Sequence, residues 1–249
     1  MSAELTQDAF LDGRLQLWQP KKGYRAGVDP VFLAAALSAN PGETVLDLGC
    51  GVGVASLCLW HRTRAHLTGV EVQAEYAALA RANAEANKAS IRVLEADVAA
   101  LPPELRNSNF DHVMTNPPYF SANTGTAARD EGREIANRED LPLADWMDVA
   151  IRRLVPRGTL TVIVRTDRMI ELLAAISPRI GRIAVKPLSA RAGREAKRVI
   201  VQGVKGANAP LRLLAPLVLH DSPHHVGDGE DFSAEARRIL REGRVFPLE

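Results

Sequence analysis

Four consecutive residues near the middle of the chain, Asn116-Pro117-Pro118-Tyr119, carry groups that could hold a reactive nitrogen. The side-chain oxygen of Asn116 and the backbone carbonyl of Pro117 can accept hydrogen bonds from the two N–H groups of an exocyclic amine or an amide. Consecutive prolines fix φ and remove backbone donors, which leaves a stiff loop of outward carbonyls. Tyr119 adds an aromatic face on which a flipped-out base could stack. We therefore predict catalytic roles for Asn116, Pro117 and Tyr119; the alternative is that the prolines only end a strand and Tyr119 belongs to the core.

A second group of residues has the types and spacing of a ligand-binding loop. Gly49, Gly51 and Gly53 follow a short apolar run, and glycine lets a ligand lie against the backbone where a helix begins. This Gly-x-Gly-x-Gly spacing differs from the Gly-x-Gly-x-x-Gly that fits a pyrophosphate. Asp47 precedes the first glycine by two residues, where its charge would repel a pyrophosphate but would suit an ammonium or a sulfonium group.

Two further acidic residues follow at the ends of predicted strands. Glu71 lies 22 residues after Gly49, where its carboxylate can accept hydrogen bonds from ribose hydroxyls. Asp97 ends the next predicted strand, where it could reach an adenine amino group. For Asp47 and Asp97 the alternative is a role as helix caps or in surface turns. Together the glycines and the acids predict a cofactor site.

Alternating strands and helices must position these residues. The predicted strands are Thr44–Leu48, His66–Val72, Ile91–Glu95, Phe110–Thr115 and Thr159–Arg165, and the helices between them are Val52–Arg62, Ala74–Asn87 and Leu143–Leu154. This alternation predicts an α/β fold with a mainly parallel sheet and helices on both faces. Because ligands bind at the carboxyl ends of parallel strands, the glycines, the acids and the tetrapeptide should meet at one edge.

These motifs resemble the class I S-adenosylmethionine-dependent methyltransferases, over roughly residues 44–165. The resemblance implies a Rossmann-like fold with a seven-stranded, mainly parallel sheet and S-adenosylmethionine as the cofactor. It implies that the held nitrogen attacks a methyl group in line and loses its proton afterwards, so that positioning supplies most of the rate. The cofactor-binding residues that it implies are Asp47, Gly49, Gly51, Gly53, Glu71, Asp97 and Asn116.

Two further segments of the sequence indicate which chemical group receives the methyl group. Enzymes with the tetrapeptide methylate adenine N6, cytosine N4, glutamine amides and, in variants, guanine N2. The segment Lys22–Pro30 (KGYRAGVDP) and the ending Asp231–Glu235 (DFSAE) resemble the small bacterial group that contains the tRNA(Val) adenine-N6 methyltransferases. That resemblance implies methylation of adenine N6 in tRNA. Arg133-Glu134 departs from the group, in which a His is expected between the two residues, and this leaves the nucleotide substrate open.

Two other functions are compatible with the sequence. A methyltransferase of this fold could act on a protein glutamine amide or on a small-molecule oxygen or amine. Glutamine methyltransferases usually carry a separate N-terminal helical domain, and only about 43 residues precede the first strand of the predicted sheet, which disfavours that substrate. A non-catalytic cofactor-binding protein is the alternative from another class, and the presence of both Asn116 and Tyr119 argues against it.

The chain is predicted to have two parts, an N-terminal extension (1–43) that frames the site and a methyltransferase domain (44–249). In the extension, Arg14–Trp18 is a predicted strand, Tyr24–Val28 its returning partner, and residues 1–12 a short helix or frayed end. The polar stretch 120–140 is either a substrate loop or a disordered insertion.

Charge is unevenly distributed along the chain. The 249 residues carry a net charge of only +1, so the whole molecule is not a polycation. A predicted hairpin at about 179–212 has nine basic residues and one acidic residue, whereas the rest of the chain sums to −7. Such asymmetry favours binding of a polyanion such as RNA. The alternative is a solvated hairpin whose scattered charges have no binding role. If RNA binds, we expect Arg191, Arg194 and Lys197 to be exposed phosphate contacts.

Metal and membrane binding are not indicated. Cys50 and Cys58 lack a partner at metal-ligand spacing and predict reduced thiols in a cytoplasmic protein. No run approaches 18 apolar residues, and the N-terminus does not resemble a secretory signal. A histidine-rich segment fits no common zinc pattern and predicts a surface turn; it comprises His220, Asp221, His224 and His225. The sequence does not predict the oligomeric state.

Overall fold

A long sheet with helices on both faces organises the computed structural model, which describes residues 4–118, 120–121, 138–139, 141–222, 231–246 and 248. The strands are β1 (Leu5–Phe10), β2 (Leu15–Pro20), β3 (Thr44–Leu48), β4 (His66–Glu71), β5 (Ile91–Glu95), β6 (Phe110–Thr115), β7 (Phe120–Ser121), β8 (Arg138–Glu139), β9 (Leu154–Arg165), β10 (Ile180–Ser189), β11 (Ala196–Lys205), β12 (Arg212–Leu213) and β13 (Leu217–Val218). The helices are α1 (Asp29–Ala36), α2 (Val54–Thr63), α3 (Ala74–Ala86), α4 (Pro103–Arg106), α5 (Leu143–Arg152), α6 (Met169–Ile176) and α7 (Ala234–Glu242), with short 3-10 helices at Val98–Ala100 and Thr166–Arg168.

The strand order of the sheet confirms the predicted fold class. The order is β12-β10-β11-β9-β6-β3-β4-β5, with β13 also paired to β10. The run from β9 to β5 is parallel, and β11 is antiparallel to both of its neighbours. Seven of its strands have five residues or more and correspond to the predicted seven-stranded sheet, whereas β12 and β13 add two residues each along the outer side of β10.

Two apolar layers hold the helices against the sheet. On one face α1, α2, α3 and α7 pack over a core that includes Phe32 and Leu57. On the other face α5 and α6 pack over a core that includes Met147 and Val162. A strand covered on both faces reads as a continuous apolar run, which is why the central strands were predictable. Asp47 interrupts such a run, in the fully covered strand β3.

The chain reverses direction across the sheet next to β3. From β3 it winds outward through β4 to β5, and it then crosses back to place β6 on the other side of β3. The loops that leave the carboxyl ends of β3 and β6 therefore diverge, one toward each face. A crevice opens at such a switch point, and ligands of open α/β sheets bind there.

The N-terminal extension forms a hairpin different from the predicted one. β1 pairs with β2 in antiparallel register, from Leu5 opposite Pro20 to Phe10 opposite Leu15. The predicted helix or frayed end at 1–12 is thus wrong for β1, and the segment Tyr24–Val28 is not a strand. The turn lies at Asp12-Gly13, a stronger hairpin signal than Lys21-Lys22-Gly23, which follows β2.

Several predicted features lie outside the described residues. These are Tyr119, most of the 120–140 stretch including Arg133 and Glu134, and His224 and His225. The roles predicted for them stay predictions.

Candidate active site

A cavity of about 180 Å³ occupies the crevice at the carboxyl ends of β3, β4 and β6. Six of the seven predicted cofactor-binding residues line it, together with Pro117 and Pro118; the six are Asp47, Gly49, Gly51, Glu71, Asp97 and Asn116. Gly53 is the exception: it directly precedes α2, and a Cβ on Gly53 would lie 3.5 Å from Cβ of Ala80 in α3. The structure therefore brings the predicted amine-holding and cofactor-holding groups together in one cavity.

The glycine loop after β3 is shaped by its backbone conformation. Gly49 has φ +74° and Gly51 has φ +55°, in the left-handed region that side chains disfavour. A Cβ on Gly49 would also lie 3.2 Å from Cζ2 of Trp146. The Gly49 and Cys50 N–H groups both donate to the carbonyl of Val70, at 2.9 Å each, and thereby tie the loop to β4. The loop can thus lie flat against a ligand.

Glu71, at the end of β4, lines the cavity and accepts hydrogen bonds from two backbone N–H groups. One carboxylate oxygen accepts from the Gly51 N–H at 3.0 Å and the other from the Gln73 N–H at 2.9 Å. Burial raises the pKa of Glu71 above its ordinary value. Each oxygen of a carboxylate has two acceptor positions, so both oxygens can also accept from ribose hydroxyls.

Asp47 is a buried carboxylate beside Glu71. The Ser56 hydroxyl donates to Oδ2 of Asp47 at 2.7 Å. Burial raises the pKa of Asp47 to about 7, and the nearby charge of Glu71 adds to the increase. Asp47 is neither a helix cap nor part of a surface turn, whereas Asp97 both accepts from the Ala99 N–H as a cap and lines the cavity. A cationic group bound in the cavity would offset the cost of ionising Asp47.

Replacing Asp47 with asparagine should make the free energy of unfolding less dependent on pH. Because the folded-state pKa is raised from 3.8 to about 7, ionisation of Asp47 opposes folding increasingly as pH rises between these values. The amide oxygen of the introduced asparagine would still accept from the Ser56 hydroxyl, without the charge. We expect the variant to gain stability relative to the parent as pH rises, reaching roughly 1–4 kcal/mol above pH 7. Urea unfolding from pH 4 to 8 measures this; a difference that does not change with pH would contradict it.

The segment after β6 carries the predicted amine-holding groups. Asn116, Pro117 and Pro118 line the cavity, and Nη1 of Arg168 donates to the Pro118 carbonyl at 2.9 Å. Arg168 is itself held by two guanidinium nitrogens on the Glu171 carboxylate, at 2.9–3.1 Å. The loop is therefore fixed from behind by a buried guanidinium. Sequence reasoning missed Arg168, because nothing local connects it with a segment 50 residues earlier.

A polar chain ties the ends of β3 and β6 together. Nε1 of Trp146 donates to the Thr115 hydroxyl at 3.0 Å, and this hydroxyl donates to the Leu48 carbonyl at 2.8 Å. Trp146 also lines the cavity and packs against Gly49. The helical pattern around Trp146 predicts a core residue, and Trp146 does pack against the core on the α5 face of the sheet. That it also lines the cavity could not be predicted from this pattern.

Residues of the N-terminal extension form another wall of the cavity. Tyr24, Ala26, Pro30 and Leu33 line it, and the Tyr24 N–H donates to the Tyr76 hydroxyl at 3.0 Å. The extension thus contributes side chains to the same site as β3 and β6.

Asn83 of α3 and Asn87, the residue directly after α3, attach β2 to the domain. Oδ1 of Asn83 accepts from the Trp18 N–H at 2.7 Å, and its Nδ2 donates to the Trp18 carbonyl at 3.0 Å. Asn87 makes the same pair of bonds to Gln16, at 3.1 and 2.7 Å. Four residues of a helix rise about 6 Å and two residues of a strand span about 6.7 Å, so the two spacings match. Nδ2 of Asn83 also donates to the carbonyl of Val52 in the glycine loop, at 3.0 Å.

Asn83 is therefore predicted to position the glycine loop, whereas Asn87 only attaches β2. Asn83→Ala would leave buried backbone groups unsatisfied, and we expect a loss of about 2–4 kcal/mol in the free energy of unfolding. We also expect affinity for S-adenosylmethionine, the implied cofactor, to fall roughly ten-fold, because one hydrogen bond to the loop is lost. Asn87→Ala is the matched control, with a smaller stability loss and unchanged affinity. Equal affinities for the two variants by calorimetry would remove the positioning role.

The chemistry of the cavity fits S-adenosylmethionine. Two buried carboxylates, Asp47 and Glu71, suit a ligand that carries cationic groups and a ribose. Val72, Val98 and Leu141 add apolar surface for a flat ring. Among the described residues there is no cluster of His, Cys, Asp and Glu that could hold a metal ion, and no helix long and apolar enough to cross a membrane.

Comparison with known proteins agrees with this site. Residues 26–175 match the family model described as the methyltransferase small domain. A Porphyromonas gingivalis tRNA1(Val) (adenine(37)-N6)-methyltransferase is 30% identical over 95% of this chain and 99% of its own length. An Aeromonas hydrophila protein of the same name is 30% identical over 74% of this chain and 78% of its own length.

Two solved structures show the same fold. A predicted O-methyltransferase from Agrobacterium tumefaciens is 27% identical, with a TM-score of 0.72 over 88% of this chain and 98% of that chain. A T. thermophilus 16S rRNA N2 G1207 methyltransferase, in complex with AdoMet and guanosine, is 22% identical, with a TM-score of 0.57 over 82% of this chain and 51% of that chain. The match to the family model and to the named relatives sets aside the alternative of a non-catalytic cofactor-binding protein. The chain belongs to the methyltransferase small domain family and is an S-adenosylmethionine-dependent methyltransferase with a Rossmann-like fold.

Proposed function

We propose that this enzyme methylates N6 of an adenine in tRNA. The observation that carries the proposal is the convergence of Asn116 and Pro117 with Asp47 and Glu71 in one cavity. An exocyclic amine held at Asn116 would then lie beside the bound cofactor. The names of the P. gingivalis and A. hydrophila relatives, whose similarity extends over most of this chain, support tRNA(Val) as the substrate and adenine 37 as the target.

The residues of the cavity would act by holding and orienting the amine. Bound S-adenosylmethionine supplies an electrophilic methyl group. The Asn116 side-chain oxygen and the Pro117 carbonyl accept from the two N–H groups, which turns the nitrogen lone pair toward the cofactor side of the cavity. Proline has no N–H to compete for these acceptors. Arg168 keeps the adjacent Pro118 carbonyl in place. No general base is required, because the nitrogen loses its proton after it has been alkylated.

Tyr119 completes the proposed substrate site. We propose that its ring stacks on the flipped-out base, a contact worth about 1–3 kcal/mol per base on truncation. Tyr119→Phe would then retain most of the activity that Tyr119→Ala loses. Equal losses for the two variants would assign the role to the hydroxyl instead.

The proposal is tested by locating the transferred methyl group. The protein is incubated with labelled S-adenosylmethionine and, separately, with an unmodified tRNA(Val) transcript, the same transcript with guanine at position 37, and total cellular protein. We expect label as N6-methyladenosine in the first reaction alone. Label in glutamine of a protein, or in neither RNA, would overturn the proposal.

A further inference from the structure

A groove outside the cofactor cavity concentrates basic side chains. This basic groove, of about 810 Å³, lies between the β10–β11 turn and the start of α1. Its charged lining residues are Asp29, Arg191, Arg194, Glu195, Lys197 and Arg198, four basic and two acidic. It shares α1 with the cofactor cavity, because Asp29 lines the groove and the next residue, Pro30, lines the cavity.

Strand pairing places the basic groove on the same edge of the sheet as the active site. Thr115, next to Asn116, pairs with Val162 of β9. Arg165 lies three residues further toward the carboxyl edge and pairs with Arg198 of β11. With about 3.3 Å per residue and about 4.8 Å between strands, Arg198 lies roughly 10–15 Å from Asn116. A few nucleotides of RNA can span that distance from a base bound at Asn116, because successive phosphates of a helical strand rise about 3.4 Å each.

The four basic residues of the groove have two different roles. Arg191 forms an ion pair of 2.8 Å with Asp231, with both side chains nearly buried, and Arg198 forms one of 2.9 Å with Asp29. The expectation that Arg191 is an exposed phosphate contact is therefore wrong, because its guanidinium is nearly buried and pairs with the Asp231 carboxylate. Arg194 and Lys197 are exposed and make no ion pair with any other described residue.

The turn that carries Arg194 is built to hold one conformation. Gly193 has φ +71°, and the Arg194 N–H donates to the Arg191 carbonyl at 3.2 Å, which closes a β-turn. The Ser189 hydroxyl lies 2.7 and 2.8 Å from the carbonyls of Arg191 and Arg194. The Arg191–Asp231 ion pair joins this turn to the segment before α7. A turn fixed in this way loses little conformational entropy when it binds a partner.

We infer that Arg194 and Lys197 bind phosphates of the RNA backbone that flank the target nucleotide, an inference that rests on the proposed function. The amine-holding groups at Asn116 recognise a single nucleotide, so a folded RNA needs further contacts that fix its position. Phosphate contacts serve this purpose, and Lys and Arg are their usual protein partners. Arg191 and Arg198 have a structural role instead, because Arg191 binds Asp231 and Arg198 binds Asp29 at the start of α1.

The inference is tested with two double variants of matched charge. Arg194→Gln with Lys197→Gln removes the two exposed charges of the groove. Arg106→Gln with Arg182→Gln removes two exposed charges at the opposite edge, since Arg106 ends α4 before β6 begins and Arg182 is near the start of β10. Binding of the tRNA(Val) transcript is measured by fluorescence anisotropy at several salt concentrations, with S-adenosylmethionine present, and methylation is measured in parallel.

We expect the groove variant to lower the slope of log affinity against log salt by about 1.4–1.8, because each phosphate contact contributes about 0.7–0.9. Between about 50 and 200 mM salt the parent should therefore lose about ten-fold more affinity than the variant. The KM for tRNA should rise, with kcat at saturating tRNA unchanged. The control variant should behave like the parent.

Two results would overturn the inference. If the groove variant keeps the parent's salt slope while the parent binds and methylates tRNA, the groove does not contact phosphates and the proposed function stands. If the parent neither binds nor methylates the transcript, the proposed function fails, and the phosphate contacts fail with it.

Discussion

Replacing Asn116 with alanine should reduce kcat for methyl transfer by at least about 100-fold, the scale seen when one hydrogen-bonding group at a reacting centre is removed. The variant would lose the side-chain acceptor for the amine while Pro117 keeps its backbone carbonyl. Affinity for S-adenosylmethionine should stay nearly unchanged, because Asp47 and Glu71 are intact on the other side of the cavity. Single-turnover kinetics and calorimetry measure the two quantities separately.

The thermal midpoint of the same variant serves as the control for folding. Asn116 follows the end of β6 and is only partly buried, so the midpoint should change little. A kcat within ten-fold of the parent would exclude Asn116 as an amine acceptor. A loss of cofactor affinity that accounts for the lost activity would place Asn116 in the cofactor site alone.

Replacing Glu71 with alanine should weaken binding of S-adenosylmethionine by roughly 10- to 150-fold, which corresponds to the 1.5–3 kcal/mol of hydrogen bonds to a charged group. The carboxylate would be lost both as an acceptor for ribose hydroxyls and as the partner of the Gly51 and Gln73 N–H groups. The glycine loop would then lose a fixed point on β4. Calorimetry with the purified variant measures the change directly.

Glu95→Ala is the matched control for this substitution. Glu95 lies directly opposite Glu71 in the β4–β5 register, at the same end of the next strand, but it is exposed and does not line the cavity. Its loss should leave cofactor affinity unchanged. An unchanged affinity for Glu71→Ala, or tighter binding of NAD than of S-adenosylmethionine, would contradict the role given to Glu71.

The parts of the fold that were predictable from sequence are those with a local signal. β3, β4 and β5 are short apolar runs that end next to a glycine or in an acid, and β6 is an apolar run that ends before Asn116-Pro117. Their alternation with helices predicts a parallel sheet. The convergence of Asp47, Glu71 and Asn116 then follows from topology, because the carboxyl ends of parallel strands share one edge. The N-terminal hairpin was mispaired because two turn signals, Asp12-Gly13 and Lys22-Gly23, compete in one short segment.

The contacts that could not be predicted join residues far apart in the chain. Trp146 reaches Thr115 across 31 residues, and Asn83 reaches Trp18 across 65. Such contacts depend on where a crossover places a helix, for which single residues leave no pattern. The charge of the basic groove could not be predicted for the same reason. A count of basic residues does not reveal that Asp231, 40 residues away in the chain, forms an ion pair with Arg191.

The match between Asn83, Asn87 and β2 also bears on the solubility of the chain. A two-stranded ribbon is marginally stable on its own, and the edge of each strand that faces away from the other presents backbone groups that can pair with a strand of another molecule. In β2 the N–H and carbonyl groups of Gln16 and Trp18 are all hydrogen-bonded to the side-chain amides of Asn83 and Asn87, at the end of α3. These side chains thus make the backbone hydrogen bonds that a neighbouring strand would make. They cover the edge of β2, at which another chain could otherwise pair and aggregate.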